Sequence, residues 1–417
     1  MAAVSVRSAD IPVQRRDRPW LGDYVTVLCG PLPMPGIDAL RAAVEALAQR
    51  NPASRLTWRL APSGVSWRND RRAEDIVVER HWDANVDAGT VLDDMARDDS
   101  LSPPLTLVRY PDYIGLKMSH GVGDGRLFLS IISAVLRTAM SGEVCDWLPE
   151  PARRSPLGQA ALATFIRHPA LIRRAMADRV ADTGDERQAP PDLRSWTPSR
   201  RTVHVALPRA EADEVIAWGK AFAPGASRFA LQVSLILRAM NRVGLEVAAD
   251  TRVIVDLRRY LGWRYVDGNF VAGVPMRLRP GMRPEELSAT IKATMSSGRP
   301  LANQIATAVR QGALLRMEPP SSFDRNALPR ATFTNMGRSP EIECLPFRTD
   351  LPAVYTGSVP PEGPLGITFL LGESPQIMSL NATFHDNVVD PELILAALTC
   401  ARSDPVGLLN ESLARAD

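Results

Sequence analysis

Two hydrophobic rhythms alternate along the chain. Apolar residues at three- and four-residue steps mark one face of a helix, and strict alternation marks a half-buried strand. Tyr24-Val25-Thr26-Val27-Leu28 predicts a strand, and Ile37, Leu40, Val44 and Leu47 predict an amphipathic helix after it. That helix ends at Asn51-Pro52. Leu56 to Leu60 alternates as a short strand. Leu105 to Tyr110 and Tyr113 to Met118 flank a Pro111-Asp112 turn and predict two adjacent strands. Leu127, Phe128, Ile131, Ile132, Val135 and Leu136 then open a helix. An alanine-rich stretch from Ser155 to Val180 reads as a further long helix.

Residues 182 to 192 break the pattern. They are polar and carry Pro190 and Pro191, which predicts a loop or linker. Thr202 to Leu207 restarts the chain as a strand, and Arg209 to Phe222 as a helix. Ser227 stands where an N-cap belongs, ahead of Phe229, Val233, Ile236, Leu237 and Met240. Arg252 to Arg258 is a β-branched strand. Pro284 takes a first helical position, with Leu287, Ile291 and Met295 on one stripe. Ile367 to Leu371 and Ile377 to Phe384 predict two strands, and Pro391 to Ala401 a last helix. Both halves mix helices and strands in the same way. The simplest architecture is two α/β lobes, residues 1–182 and 201–417, joined by a linker at 183–200. A ligand site then belongs between them. Residues 1–18, with Arg15, Arg16, Asp17 and Arg18 clustered, are expected to form a poorly ordered polar arm.

Composition narrows the function classes. The 417 residues are 45% hydrophobic and 23% charged, ordinary values for a soluble globular protein. A net charge of +2 offers no global field for nucleic acid. Cys29, Cys145, Cys344 and Cys400 contain no Cys-X-X-Cys pair, so neither a zinc ribbon nor a redox motif is supported, and reduced cytoplasmic thiols are expected. The five histidines lack metal-ligand spacing, so no metal is expected. The first residues show no charged-then-apolar pattern, so no signal peptide is expected. The apolar run from Leu127 to Leu136 is too short to span a bilayer, so no integral membrane contact is expected.

The most informative segment is Ser119-His120-Gly121-Val122-Gly123-Asp124-Gly125. It places one histidine where a strand ends and a glycine-rich turn begins, a common location for catalytic groups. Three glycines permit positive φ and a close approach of backbone or ligand. A serine hydrolase is disfavoured, because no Gly-X-Ser-X-Gly elbow occurs.

This segment resembles the His-X-X-X-Asp-Gly signature of the chloramphenicol-acetyltransferase-like superfamily. That group includes condensation domains of nonribosomal peptide synthetases and polyketide-associated acyltransferases. Asn51-Pro52 with Arg55-Leu56 resembles the exit of the family's first helix. Asp256-Leu257-Arg258, followed by Gly268-Asn269-Phe270, resembles a second-lobe motif, and Phe333-Thr334-Asn335-Met336-Gly337 resembles its Ser/Thr-Asn-X-Gly segment. Ser119 departs from the pattern, since condensation domains carry two adjacent histidines. The single-histidine form is similar to free-standing polyketide-associated and alcohol acyltransferases. The Asp-Phe-Gly-Trp-Gly segment of plant-type enzymes is absent.

The resemblance implies an α/β (α+β), two-lobed chloramphenicol-acetyltransferase-like fold, with pseudo-symmetric lobes and the active site in the cleft between them. It implies acyl transfer from a thioester of coenzyme A or an acyl-carrier protein to a hydroxyl, making an ester, or to an amine. The setting it implies is natural-product or lipid metabolism. His120 is the expected general base, with no acyl-enzyme and no bound cofactor beyond the acyl thioester co-substrate. Asp124 is expected to pair with Arg258 and, with Gly125, to support the loop; a solvated strand-end charge is the bland alternative for Arg258. Ser119, Asn269, Thr334 and Asn335 are candidates for substrate or channel contact; the alternative for Ser119 is an inert small residue at the site wall, and for Asn269 and Asn335 a cap on local backbone. Arg153, Arg154, Arg167, Arg173, Arg174 and Arg179 are either a solvated face or a dock for an acidic acyl-carrier protein or coenzyme A phosphates. A monomer acting on a small-molecule acceptor is expected. The alternative function is a catalytically silent, condensation-like module that recruits a carrier protein or a tailoring enzyme.

Overall fold

In the computed structural model the described residues are 10–52, 54–83, 86–101, 104–147, 155–181, 190–262, 266, 268–311 and 320–411. The first half contributes β1 (Tyr24–Gly30), α1 (Ile37–Arg50), β2 (Val77–Glu79), α2 (Ala88–Arg97), β3 (Leu105–Arg109), β4 (Ile114–Ser119) and α3 (Gly125–Ser141). The second half contributes β5 (Arg200–Pro208), α4 (Arg209–Phe222), α5 (Arg228–Arg242), β6 (Asp250–Asp256) and β7 (Val271–Arg277). There follow α6 (Pro284–Ser296), α7 (Arg299–Gln311), β8 (Arg330–Arg338) and β9 (Val354–Ser358). The last elements are β10 (Gly366–Glu373), β11 (Ile377–His385) and α8 (Pro391–Ser403).

Two sheets carry these elements. The first runs β9-β1-β4-β3-β2, and the second β7-β6-β8-β10-β11-β5. The core of the first lobe forms because α1 turns one stripe inward against α3, which is buried on most of its surface. Leu40, Val44 and Leu47 meet Phe128, Ile131, Ile132 and Val135 in one buried cluster with Val27, Leu107 and Leu116. Each such aliphatic side chain contributes roughly 1.5–3 kcal/mol by leaving water. The second core wraps α5, which is buried on most of its surface, with β6, β8, β10, β11 and α8.

The halves of the chain do not map one-to-one onto the sheets. β9 belongs to the second half yet pairs antiparallel with β1, Thr356 opposite Leu28. β11 explains how the two layers meet. Met378, Leu380, Ala382 and Phe384 enter the second core, while Ser379, Asn381, Thr383 and His385 lie on the opposite face, as a period of two requires. That polar face closes on the first lobe: Asn381 Nδ2 donates to Thr356 Oγ1 at 3.0 Å. On β5, Arg200 Nη1 donates to the Tyr24 carbonyl at 2.8 Å, and Thr202 donates through both N and Oγ1 to the buried Asp93 of α2 at 2.7 and 2.6 Å.

Three local expectations change. The helix expected over 155–180 is broken: Pro156–Ala161 continues into a wider turn at Leu162–Ile166, and a new helix starts at Ala170. His168-Pro169 causes the break, because proline lacks an N–H and forces its predecessor out of helical geometry. The strand expected through Arg258 stops at Asp256, where the Asp256 carboxylate accepts from Arg258 N and starts a tight turn over Leu257–Leu261. The arm is not loose over residues 10–18: Ile11–Pro12 pairs with Ser66–Trp67, and Asp17 is fully buried. Of the expected linker, 183–189 lie outside the described residues, and Leu193–Ser195 pairs with Ser322–Asp324.

Candidate active site

The chain reaches the site along β4 and leaves it along α3. Between them the turn is held by carbonyls of the Trp20–Asp23 segment. His120 N donates to the Asp23 carbonyl at 2.7 Å, and Gly121 N to the Trp20 carbonyl at 3.0 Å. The imidazole of His120 is half-buried between Trp20 and Phe128, with ring centroids 5.3 and 5.5 Å away. Its Nδ1 lies 3.1 Å from the Gly123 carbonyl. A carbonyl only accepts, so Nδ1 carries the proton and Nε2 keeps its lone pair. Among the described residues Nε2 has no hydrogen-bond partner. Burial lowers the His120 pKa from 6.5, against the opposing pull of Asp124 and the Gly123 carbonyl, so the ring is neutral near pH 7.

Asp124 does not touch the imidazole by hydrogen bond. Its Oδ2 accepts from Arg258 Nη1 at 2.8 Å and from Phe270 N at 2.9 Å, and Oδ1 accepts from Arg258 Nη2 at 3.3 Å. Both side chains are 2% exposed. Burial alone would raise the carboxyl, but the Arg258 charge and these hydrogen bonds outweigh it and hold Asp124 below the ordinary carboxylate range. Arg258 also donates to Asp256 Oδ1 and to the Val266 carbonyl. The pair therefore spans the lobes, fixing the start of α3 to the turn after β6.

Gly121 and Gly123 serve closeness rather than handedness. None of Gly121, Gly123 and Gly125 adopts a left-handed backbone. A Cβ on Gly121 would lie 2.7 Å from Leu21 Cδ2, and one on Gly123 would lie 2.5 Å from Leu127 Cδ2. A Cβ on Gly125 would meet nothing within 4 Å.

The other candidates separate by surroundings. Ser119 is buried, and its hydroxyl is used by backbone: it donates to the Leu21 carbonyl at 3.0 Å and accepts from Gly121 N at 3.2 Å. Asn335 is exposed, and its Oδ1 accepts from Gly337 N at 2.7 Å, capping a bulge in β8. Thr334, half-buried on β8, lies opposite Leu370. Asn269 is 2% exposed, and among the described residues neither its Oδ1 nor its Nδ2 has a hydrogen-bond partner. Of the arginine group, Arg153, Arg154 and the side chain of Arg179 lie outside what the structure describes, while Arg167, Arg173 and Arg174 are exposed.

No family model matches the chain, and no curated protein matches it in sequence. Solved structures do match. The first condensation domain of the calcium-dependent antibiotic synthetase superposes with a TM-score of 0.61 at 14% identity, covering 97% of each chain. Polyketide synthase associated protein 5 from Mycobacterium tuberculosis gives 0.57 at 15% identity, covering 95% of this chain and 98% of that one. The epimerization domain from the third module of tyrocidine synthetase B gives 0.56 at 13% identity over 98% of each. The fold is the two-lobed condensation-domain fold. It is the chloramphenicol-acetyltransferase-like architecture, here with β9 crossing from the second lobe into the first sheet.

Within this condensation-domain fold, sequence reasoning gave no site role to Asp17, Trp20, Asp23 or Arg55. Arg55, 3% exposed, donates through Nη1 to the Gly121 and Val122 carbonyls at 3.2 and 2.8 Å and to Asp17 Oδ2 at 3.0 Å. Asp17 Oδ1 accepts from Asn269 N at 3.1 Å. Burial pushes the Asp17 carboxyl up, against the pull of Arg55 and Arg16. The available signal was Arg55 itself, placed after the exit of α1 with a resemblance of its own. Among the described residues no group of histidine, cysteine and carboxylate side chains is placed to hold a metal. No helix among them is long and apolar enough to cross a membrane.

Proposed function

We propose that the chain is a condensation-type acyltransferase that moves an acyl group from a thioester to a hydroxyl or amine in natural-product assembly. The observation that carries this reading is the state of His120: one ring nitrogen donates to the Gly123 carbonyl, and the other is an unpaired base on a neutral ring. The ring lies beside the point where the lobes are joined by Asp124 and Arg258.

In this reaction Nε2 takes the proton of the acceptor hydroxyl or amine as its oxygen or nitrogen attacks the thioester carbonyl. The tetrahedral intermediate collapses, the C–S bond breaks, and the imidazolium returns its proton to the departing sulfur. The products are an ester or amide and a free thiol, with no covalent enzyme intermediate. The donor is coenzyme A or a carrier-protein phosphopantetheine. Asp124 and Arg258 act by positioning, since the Asp124 carboxylate is held by Arg258 and Phe270 N and makes no hydrogen bond to the ring. Asn269, a buried amide without a partner, is the candidate to contact substrate; Ser119 and Asn335 are occupied by backbone.

The test is thiol release from a panel of acyl-coenzyme A and acyl-carrier thioesters, with and without alcohol and amine acceptors. The expected result is acceptor-dependent release that His120→Ala abolishes while the melting temperature holds. Release that survives His120→Ala refutes the general-base role. Silence with every donor and acceptor refutes the transferase reading in favour of a recruitment module.

A further inference from the structure

The carbonyl that holds His120 lies at a strand end that the second lobe completes. His120 N donates to the Asp23 carbonyl at 2.7 Å, on the side of β1 that pairs with β4. The next carbonyl, that of Tyr24, faces the opposite neighbour, because successive carbonyls of a strand alternate in direction. On that side β9 pairs with β1 only as far as Ser358, opposite Thr26, and ends there. Continuing the register would bring Pro360 opposite Tyr24, and proline has no N–H to donate. The ladder therefore leaves the Tyr24 carbonyl to another donor.

Arg200 of β5 is that donor. Its Nη1 donates to the Tyr24 carbonyl at 2.8 Å, its Nη2 to the Ser358 carbonyl at 2.6 Å, and its Nε to Ser358 Oγ at 2.8 Å. One guanidinium thus closes the end of the β1–β9 ladder with all three nitrogens, a planar fork that lysine does not reproduce. The backbone that carries it is fixed in the second lobe. Arg200 stands opposite His385 in the β5–β11 pair, and Ser199 N donates to His385 Nδ1 at 3.1 Å. Asp23 and Tyr24 are two successive residues held from opposite sides, by His120 N on one and by Arg200 on the other. Displacing a reacting group by about 1 Å costs on the order of 100-fold in rate.

We propose that Arg200 is a positioning residue for His120, acting from the second lobe through the Tyr24 and Asp23 carbonyls. This role rests on the general-base reading of His120. It is separate from the Asp124–Arg258 pair, which holds the other end of the loop.

The test compares wild type, R200Q, R200K and L398A, the last a cavity variant at a buried residue of α8 in the second core. Two quantities are read. One is steady-state kinetics with the thioester and acceptor that the wild type uses. The other is the ring signals of 15N-labelled histidine, with His120 assigned by the signal lost in His120→Ala. The expected R200Q result is a kcat lowered on the order of 10- to 100-fold with the acceptor KM unchanged. Its His120 signal leaves the Nδ1-protonated pattern of the wild type. R200K keeps one donor and restores part of both. L398A lowers the melting temperature but keeps kcat and the His120 signal. R200Q with a wild-type His120 signal overturns the proposal. So does L398A if it reproduces the R200Q effects at an equal loss of melting temperature. Where R200Q does not fold, R200K against wild type decides on the same two quantities. Wild type without turnover refutes the transferase reading, and the His120 signal then decides the role of Arg200 by itself.

Discussion

Asp124→Asn is the sharpest perturbation of the loop, because it removes a charge and almost no volume. In the wild type Asp124 and Arg258 are both 2% exposed and joined by two hydrogen bonds at 2.8 and 3.3 Å, with Phe270 N adding a third at 2.9 Å. The substitution leaves a buried guanidinium whose remaining partners are Asp256, at 3.3 Å, and the Val266 carbonyl, at 3.2 Å. Breaking a buried pair from one side costs about 3–5 kcal/mol. Asp256 keeps a partial counter-charge, which places the loss near the lower bound. At roughly 2–4 °C per kcal/mol for a lobe of this size, melting falls by about 10 °C. The double variant Asp124→Asn with Arg258→Met removes the stranded charge, so it melts above Asp124→Asn alone. The pH dependence has a defined sign. The folded carboxyl lies below its ordinary value. Its stabilisation is present above the unfolded pKa and is lost as pH falls through the folded one. The gap between wild type and Asp124→Asn is therefore constant at neutral pH and closes only in acid. Differential scanning fluorimetry across pH reads both effects. An unchanged melting temperature for Asp124→Asn, or purely additive single and double variants, refutes the argument.

Three further outcomes follow from the same geometry. Because burial lowers the His120 pKa, kcat/KM stays flat at neutral pH and falls only as pH drops through a value below 6.5; a midpoint above 6.5 in the pH–rate profile contradicts this. Gly125→Ala meets no neighbour and gains up to about 1 kcal/mol of helix propensity, so melting holds or rises; substrate passing over this position shows as a fall in kcat/KM, and unchanged kinetics rules that passage out. Asn269→Ala deletes a buried amide that has no partner, so melting holds or rises while acceptor kcat/KM falls; a lower melting temperature with normal kinetics makes the residue structural.

What could be read in the sequence depended on how local its cause is. α1 was legible because Leu40, Val44 and Leu47 repeat at helical spacing and are all buried together. The start of α5 was legible because Ser227 is a cap, and its hydroxyl accepts from Ala230 N at 3.1 Å. β9 was not legible: Val-Tyr-Thr-Gly-Ser is short, and it is a strand because β1 supplies its partner. Asp17 was read backwards. In sequence it is one charge among Arg15, Arg16 and Arg18, the composition of a solvated arm. In the fold it is wholly buried, because Arg55 and Asn269 N, 38 and 252 residues away, satisfy its two oxygens. No local pattern carries information about partners that distant.

These long-range partners give the loop a common logic. Four independent groups hold seven residues: the carbonyls of Trp20 and Asp23 take the N–H groups of Gly121 and His120, Arg55 takes the carbonyls of Gly121 and Val122, and Arg258 takes the carboxylate of Asp124. The first three sit in the first half of the chain, and Arg258 sits in the second. Asn269 N on Asp17 and Phe270 N on Asp124 come from one loop of the second lobe and reach both ends of this arrangement. An opening of the lobes therefore breaks contacts on both sides of the loop at once. The Gly123 carbonyl that orients His120 Nδ1 lies between the Arg55 contacts at residues 121 and 122 and the Arg258 contact at 124. The contacts that join the lobes and the carbonyl that orients the imidazole thus belong to one short loop.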